Sequence, residues 1–323
     1  MIEICRTPIP PARTKRIEIP VARLPTQTML SLPVIVINGY TDGPILWLSA
    51  AIHGDEINGV EIIHQVMQKI SPKRLRGTVI AVPIVNVFGF IEQSRYLPDR
   101  RDLNRSFPGS KRGSLASRLA NLFVQEIVNH STHGIDLHTA SAHRNNLPQI
   151  RANLDDPVTY QCARAFGTSV IIHSQLRDGS LRQAATQKGI PVLLYEGGEA
   201  LRFNSHAIYI GVQGILRVME TLDMYEFKFD NFPLEPIEVQ NTQWVRASRS
   251  GILQLSIELG ERVYKGQILG FISDAFGDTS VKVRAPTHGL VIGNQQNPLV
   301  NQGDAIVNLA LLQPEENPVH IRS

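Results

Sequence analysis

The chain has 323 residues, of which 42% are hydrophobic and 19% charged, and its formal net charge is +3. This composition is typical of a globular protein, and the small net charge argues against nucleic acid or a membrane surface as a partner. The two cysteines, Cys5 and Cys162, cannot form a disulfide framework or a CxxC metal site. Without an apolar leader or a long apolar run, we expect a cytoplasmic protein.

Short apolar runs rich in Val, Ile and Leu predict buried strands, in chain order, at Val34–Ile37, Ile45–Ile52, Thr78–Val85, Gly134–Leu137, Val170–Ile172 and Ile190–Tyr195. Apolar residues at three- and four-residue steps predict helices between them, over 57–70, 115–127 and 207–222. This alternation of strands and helices predicts an α/β fold, with a mixed sheet at the centre of three layers.

The pattern changes after about Asp230, where short runs alternate with glycine-containing turns. We therefore predict two domains: residues 1–232, with a core at about 30–225, and a small all-β domain at 233–323. The stretch Asp230–Pro233 is the predicted linker.

The segment His53-Gly54-Asp55-Glu56 follows a predicted strand and leads into a predicted helix. A His and a Glu three residues apart can point to one metal ion, although such a pair also arises by chance on a surface. His138 ends another buried strand, so it is expected at the same edge of the sheet as His53. Two His and one Glu leave one coordination position of the metal ion open for water, as in catalytic zinc sites. Asp136 is either a residue that orients a ligand or a partner in a strand-end hydrogen bond.

A third buried strand ends in Tyr195-Glu196-Gly197-Gly198-Glu199. A glutamate over a metal-bound water can take its proton and deliver it to a leaving nitrogen. Glu196 is closer to the strand end than Glu199, and is the preferred candidate.

The segment Arg95–Gly109 is rich in Arg and turn residues, and it follows another predicted strand. It is either an exposed basic loop or a loop that recognises an anion, because guanidinium groups bind carboxylates bidentately and Asn adds an amide donor. With a zinc centre nearby, the second interpretation predicts a substrate amide that carries a carboxylate.

These motifs, namely His53–Glu56, Asp102–Gly109, Asp136–His138 and Tyr195-Glu196, resemble the succinylglutamate desuccinylase/aspartoacylase family, relatives of the zinc carboxypeptidases. The resemblance covers roughly residues 30–225. It implies about one zinc ion per chain, bound by His53, Glu56 and His138, with Glu196 as general base and acid.

The resemblance further implies that Asn104 and Arg105 bind a substrate carboxylate. The family also has an Arg upstream of them that polarises the scissile carbonyl. Arg95 and Arg101 both compete for this place; Arg95-Tyr96 is more similar to the family pattern, and Arg101 is otherwise a candidate for substrate binding. Arg182 is a candidate for a further substrate contact.

The tail is similar to biotinyl/lipoyl carrier domains in Gly260–Gly270, Val283–Val291 and Asn301–Asp304. Where those domains carry a modified lysine, this chain has Asp274–Asp278, without a lysine. We therefore expect the scaffold without its prosthetic group. The resemblance to aspartoacylase-like enzymes implies that such a C-terminal domain narrows access to the zinc, which would favour small acylated amino acids over peptides.

Together these features predict a zinc amidohydrolase that removes an acyl group from a small N-acylated amino acid or a similar molecule. The alternatives are a zinc carboxypeptidase and a non-catalytic ligand-binding protein; a carrier role is disfavoured by the missing lysine. Hydrolases of this size are commonly symmetric oligomers, so a homo-oligomer is a further expectation.

Overall fold

The structure, a computed structural model, describes residues 1–229 and 235–312. It divides the chain into two units, each with its own internal contacts. Unit 1 consists of Met1–Ala142 and Pro148–Glu238, and unit 2 of His143–Leu147 and Val239–Ser323.

The helices of the described residues all belong to unit 1. They are α1 (Asn58–Lys69), α2 (Val87–Ile91), α3 (Leu115–Glu126), α4 (Pro157–Phe166), α5 (Leu181–Thr186) and α6 (Ser205–Thr221), with short 3-10 helices at Leu103–Arg105 and Val128–His130.

The strands of the first part of the chain are β1 (Ile2–Ile4), β2 (Thr7–Ile9), β3 (Arg13–Arg23), β4 (Met29–Asn38), β5 (Thr41–Ala50), β6 (Arg76–Val82), β7 (His133–His138), β8 (Arg144–Ala152), β9 (Val170–His173) and β10 (Val192–Gly198). In the main sheet the order is β8-β10-β7-β5-β6-β4-β3, with β9 beside β8. β10, β7, β5 and β6 run parallel, whereas β3 and β4 are antiparallel to their neighbours. The predicted mixed sheet is therefore confirmed.

Each face of this sheet is covered by helices. A first core contains buried residues of α1, α4 and α6, and a second core contains residues of α2, α3 and α5. Because side chains alternate along a strand, Ile135 and Leu137 enter the first core while Asp136 and His138 point to the opposite face. The α/β architecture and its three layers follow from this packing.

Side-chain caps begin the helices that flank the site. Ser180 accepts a hydrogen bond from Gln183 N at the start of α5, and Asn204 accepts one from Ala207 N at the start of α6. Such caps satisfy backbone N–H groups that have no partner within the helix. They fix where the loops before α5 and α6 end; the first of these loops follows β9 and the second follows the carboxyl end of β10.

The predicted strands and helices all exist, with boundaries shifted by a few residues. Two long strands were missed, β3 and β8. Polar residues interrupt both, as in Arg13–Ile17 and Asn145–Arg151, so neither contains a continuous apolar run. β3 is an edge strand whose outer positions are exposed, which explains its charged residues.

In unit 2 the described residues form strands but no helix, which confirms the predicted all-β region. The strands are β12 (Thr242–Arg246), β13 (Gly251–Leu255), β14 (Arg262–Val263), β15 (Ile268–Ser273), β16 (Ser280–Arg284), β17 (Gly289–Gln295), β18 (Leu299–Val300) and β19 (Ala305–Leu311). The short strand β11 (Ile237–Val239) precedes them; it pairs with β9, and Ile237 and Glu238 belong to unit 1. One sheet contains β12, β19 and β17, and β17 also pairs with Arg144–Asn146; the other has the order β16-β15-β13-β18. The likeness to carrier domains stays a prediction.

The boundary between the units lies at Glu238/Val239, and unit 2 includes the separate segment His143–Leu147. The predicted boundary was at 232/233, and the segment could not be anticipated because it is distant in sequence. The predicted linker, Asp230–Pro233, lies outside the described residues. Among residues 1–229 and 235–312, no helix combines the length and the apolar character that crossing a membrane requires.

Tyr195 connects β10 to α6, since its buried hydroxyl donates a hydrogen bond to Ala207 O at 2.6 Å. We expect Tyr195→Phe to lower the free energy of unfolding by about 1 kcal/mol, the usual contribution of such a bond. Tyr209→Phe is the matched control, because the Tyr209 side chain lies on α6 and is 55% exposed. Urea unfolding of both variants measures the difference; equal midpoints for the two would contradict this role.

Candidate metal centre and active site

The turn after β5 brings His53 and Glu56 into the interior. His53 is 4% exposed and Glu56 2% exposed. Gly54 is required in this turn, because a Cβ there would lie 2.0 Å from the backbone carbonyl carbon of Gly89 in α2. The close approach of two backbones therefore holds the turn against α2.

The carboxylate of Glu56 lies between two imidazole rings. Its Oε1 is 2.6 Å from His53 Nδ1, and its Oε2 is 2.8 Å from His138 Nδ1. The backbone N–H of Thr139 donates a further hydrogen bond to Oε2 at 3.1 Å. One potential ligand atom from each of His53, Glu56 and His138 lies within 4.8 Å of the others. The structure thus brings together the three residues that the sequence predicted as metal ligands.

A second carboxylate contacts the other nitrogen of each ring. His138 Nε2 lies 2.8 Å from Asp136 Oδ2, and Ser49 Oγ donates to Asp136 Oδ1 at 2.8 Å. His53 Nε2 lies 3.2 Å from Asp102 Oδ1. In zinc proteins such carboxylates fix the tautomer and the orientation of histidine ligands. Here they leave Nδ1 of both rings directed at the same point.

The electrostatics of this cluster fit a cation. Burial alone would raise the pKa of Glu56, but His53 and His138 outweigh burial and hold this pKa far below its usual range. Burial opposes the charged form of both histidines, yet the carboxylates around them raise the pKa of each. These directions mean that the buried, carboxylate-rich cluster favours added positive charge, which protons on the histidines would supply. A divalent cation would supply that charge instead and release the protons.

The two candidate arginines differ in position. Arg95 Nη1 lies 3.3 Å from Glu56 Oε1 and Arg95 Nη2 lies 2.9 Å from Asp102 Oδ2, with a side chain 25% exposed. Arg101 has a side chain 63% exposed and lies 3.8 Å from Asp99. Arg95 is therefore the arginine beside the cluster.

Asn104 and Arg105 follow Asp102 in the short 3-10 helix. Asn104 is buried, and its Oδ1 accepts a hydrogen bond at 2.9 Å from Leu181 N, the first residue of α5. Arg105 is exposed and donates from Nη1 to the carbonyl oxygen of Asn104. Asn104 therefore connects the Arg-rich loop to α5, while the Arg105 guanidinium lies at the surface.

Glu196 is the residue of β10 that pairs in register with His138 of β7. Adjacent strands are about 4.8 Å apart, so both side chains leave the same face of the sheet as neighbours. Glu196 Oε1 lies 3.4 Å from Arg151 Nε. The competing Glu199 lies after the strand, 3.8 Å from Arg202. The strand register therefore favours Glu196 as the carboxylate beside the cluster.

Arg182, in α5, is only 5% exposed. Its Nη2 donates to Ser174 Oγ at 3.1 Å and to the carbonyl oxygen of Gln175 at 2.7 Å. The loop after β9 thus holds one side of this guanidinium.

Three residues of the site were missed by the sequence interpretation: Asp102 as the partner of His53, Thr139 as a backbone donor to Glu56, and Arg151 as the partner of Glu196. For Asp102 no local signal exists, because its partner is distant in sequence. For Arg151 a signal was present, since Gln149 and Arg151 alternate with Ile150 and Ala152 as in a strand with one polar face.

The comparison with protein families identifies this arrangement. The model of the succinylglutamate desuccinylase/aspartoacylase catalytic domain matches residues 42–222. This range is more than half of the chain and contains every candidate site residue described above. The chain therefore belongs to the succinylglutamate desuccinylase/aspartoacylase family, and the resemblance seen in the sequence is confirmed.

Individual relatives extend the match over most of the chain. The N-alpha-acetyl-L-2,4-diaminobutyric acid deacetylase of Halomonas elongata is 26% identical over 293 residues, which are 86% of this chain and 85% of the relative. A succinylglutamate desuccinylase/aspartoacylase structure from Rhodobacter sphaeroides aligns with a TM-score of 0.82 and 25% identity, covering 93% of this chain and 97% of the other. The ectoine utilization protein EutE of Ruegeria pomeroyi shares the fold, with a TM-score of 0.84, 23% identity and coverage of 94% and 98%.

The convergence of the three donors predicts that His53→Ala loses metal binding. The purified protein should contain about one divalent metal ion per chain, and the variant should contain far less, as measured by elemental analysis. His64→Ala is the matched control, because His64 also lies three residues from a glutamate, Glu61, but its side chain is 65% exposed. Equal metal content in both variants would contradict the assignment.

Proposed function

We propose that this chain is a zinc-dependent amidohydrolase that removes an acyl group from a small N-acylated amino acid. The observation that carries the proposal is the register of Glu196 with His138, which places a carboxylate beside a buried His-Glu-His donor set. The family supports it, since the relative from Halomonas elongata is named as a deacetylase of an N-acetylated amino acid.

His53, Glu56 and His138 would hold the zinc ion. Zinc, when bound, polarises the scissile carbonyl and makes water more acidic. Nitrogen and carboxylate donors are the ligands that zinc prefers, and this set contains no cysteine, as is common in catalytic sites. Asp102 and Asp136 keep both imidazoles in the orientation that presents Nδ1.

Glu196 provides the acid–base chemistry. Its carboxylate takes a proton from the attacking water and then donates that proton to the leaving nitrogen, so that the amine departs in neutral form. The partly exposed carboxylate, 21% for the side chain, is accessible to water and substrate. Arg151 Nε lies 3.4 Å from this carboxylate and contributes to its position.

Arg95 and the Arg-rich loop bind the substrate in this proposal. The Arg95 guanidinium, directed to the cluster by Glu56 and Asp102, donates hydrogen bonds to the carbonyl oxygen as negative charge develops there. Arg105, exposed next to Asn104, binds the carboxylate of the amino acid, and Asn104 holds this loop against α5.

We also propose that the chemistry resides in residues 1–232 and that the region from 233 is a carrier-like scaffold without a prosthetic group. Its support is the antiparallel pair β15 and β16, whose connection at Asp274–Asp278 has no lysine.

Glu196→Gln should lower kcat by roughly 10²- to 10⁴-fold, because the amide cannot take up the proton, while metal content stays at the wild-type level. Glu199→Gln is the matched control and should retain most activity. Turnover of N-acetyl and N-succinyl amino acids together with elemental analysis checks both. Full activity of Glu196→Gln, or loss of its metal, would contradict the role of Glu196 as general base and acid.

Arg95→Ala should reduce kcat by roughly 10²- to 10³-fold, the usual effect of removing a donor to a developing oxyanion. Arg101→Ala should leave kcat nearly unchanged, because its side chain extends into solvent. Steady-state kinetics of both variants, with metal content measured in parallel, decide between them. A larger loss in Arg101→Ala than in Arg95→Ala would reverse the assignment.

A further inference from the structure

Asn58, the first residue of α1, is buried, but the proposed chemistry does not use it. It is 0% exposed. At the start of a helix, asparagine usually caps the backbone N–H groups of its own first turn, yet α1 has no side-chain cap. Asparagine within a helix is also less favourable than alanine. The formation of α1 therefore does not explain this residue, and its amide forms hydrogen bonds outside the helix.

The Asn58 amide connects α1 to both ends of the loop that follows Glu196. Its Nδ2 donates a hydrogen bond to the carbonyl oxygen of Gly197 at 3.1 Å, and its Oδ1 accepts one from the backbone N–H of Asn204 at 3.1 Å. Gly197 directly follows Glu196, and Asn204 caps α6. One buried side chain thus uses both its donor and its acceptor to hold the two ends of this loop.

The start of α1 is held against the strands that lead to the candidate metal ligands. A Cβ at Gly59 would lie 2.7 Å from the Cβ atoms of both Ala50 in β5 and Leu137 in β7. The helix backbone therefore packs directly on these two strands, because glycine places no side chain between them. The backbone of Asn58, two residues after Glu56, is consequently fixed relative to the candidate metal ligands.

On the other side, Asn58 contacts β10 where its pairing with β7 ends. The last pair of residues between these strands is Glu196 and His138. The carbonyl group that Asn58 binds belongs to the next residue, Gly197. A Cβ at Gly198 would lie 2.4 Å from Asn58 Nδ2, so the chain passes directly beside the amide as it leaves the strand. Asn58 therefore holds the strand end just beyond the last pair with β7.

Two further hydrogen bonds join the same segments. Leu201 N donates to the carbonyl oxygen of Asp55 at 2.8 Å, and Ala140 N donates to that of Gly198 at 3.1 Å. Both connect backbone to backbone, so they persist when a side chain is replaced. The contact made by Asn58 depends on the residue type. Its removal should therefore shift the end of β10 without detaching the loop.

We propose that Asn58 is a positioning residue that sets the carboxylate of Glu196 relative to the candidate metal site. The inference rests on the proposed deacylase function and deepens it. A general base acts only within hydrogen-bond reach of the proton that it accepts, and a displacement of about 1 Å can lower a rate on the order of 100-fold. Because Asn58 contacts neither metal nor substrate in this proposal, its loss should impair proton transfer and leave binding intact.

Asn58→Ala tests this role by steady-state kinetics. We expect kcat for N-acetyl and N-succinyl amino acids to fall roughly 10- to 100-fold, while KM and the metal content stay close to wild type. Asn58→Ser keeps a small polar group that can pair with one of the two backbone partners, so it should recover part of kcat. Asn58→Ser also replaces the alanine variant in the test if that variant does not fold. Wild-type kcat in the folded variants, or loss of their metal, would overturn the inference.

Asn38→Ala is the matched control for a purely structural effect. Asn38 is also buried and uses both ends of its amide, since Nδ2 donates to Ile9 O at 2.8 Å and Oδ1 accepts from Thr78 Oγ1 at 3.0 Å. Thr78 lies near the start of β6, at the edge of the sheet opposite the candidate site. Both alanine variants should lower the urea midpoint, but Asn38→Ala should keep kcat. An equal fall of kcat in both would mean that Asn58 acts only through stability.

Hydrogen exchange measured by mass spectrometry reports on the strand end and requires no substrate. Asn58→Ala should increase exchange in a peptide that spans residues 193–204, whereas exchange in β6 should stay at the wild-type level. If the wild-type protein hydrolyses no N-acyl amino acid, the proposed function fails, and exchange still decides whether Asn58 holds the end of β10. Faster exchange over residues 193–204 supports that link, and unchanged exchange there rejects it.

Discussion

The site is organised around one buried carboxylate, that of Glu56. A charged group with this degree of burial is tolerated only when its surroundings compensate it. Here two imidazoles, a guanidinium and a backbone N–H share the task, and they come from the turn after β5, the end of β7 and the Arg-rich loop. These segments are held in place together because each supplies a partner that Glu56 requires.

The compensation extends outward in alternating charges. From Glu56 a continuous set of contacts leads through His53 to Asp102 and Arg95, and through His138 to Asp136 and Ser49. Removing one member leaves a buried neighbour unpaired, which costs more than the lost contact alone. The network thereby prevents rotation of the two imidazole rings. Nδ1 of both histidines stays directed at the candidate metal position.

The sequence was most informative where function depends on local geometry. His53, Glu56, His138 and Glu196 each follow a short apolar run, and the carboxyl ends of parallel strands meet at one edge, so their proximity could be predicted from order alone. The choice between Arg95 and Arg101 could not be predicted from the order of elements. It depends on how an irregular loop folds over Asp102. The segment His143–Leu147 was equally unpredictable, since its membership in unit 2 is a matter of contacts between residues far apart in the chain.

The candidate metal ligands and the residues beside Glu196 are held in place in different ways, and they therefore differ in how freely they can be substituted. The metal ligands lie in turns where a backbone shift would misplace them, as the close approach of Gly54 to Gly89 illustrates. Gln149 and Arg151, by contrast, lie on one face of β8, whose opposite face packs Ile150 and Ala152 into the first core. Because the two faces of a strand are independent in packing, residues beside Glu196 can change charge while the core contacts of β8 persist. Substitutions on this face can therefore alter the charge beside Glu196 without removing the core contacts of β8.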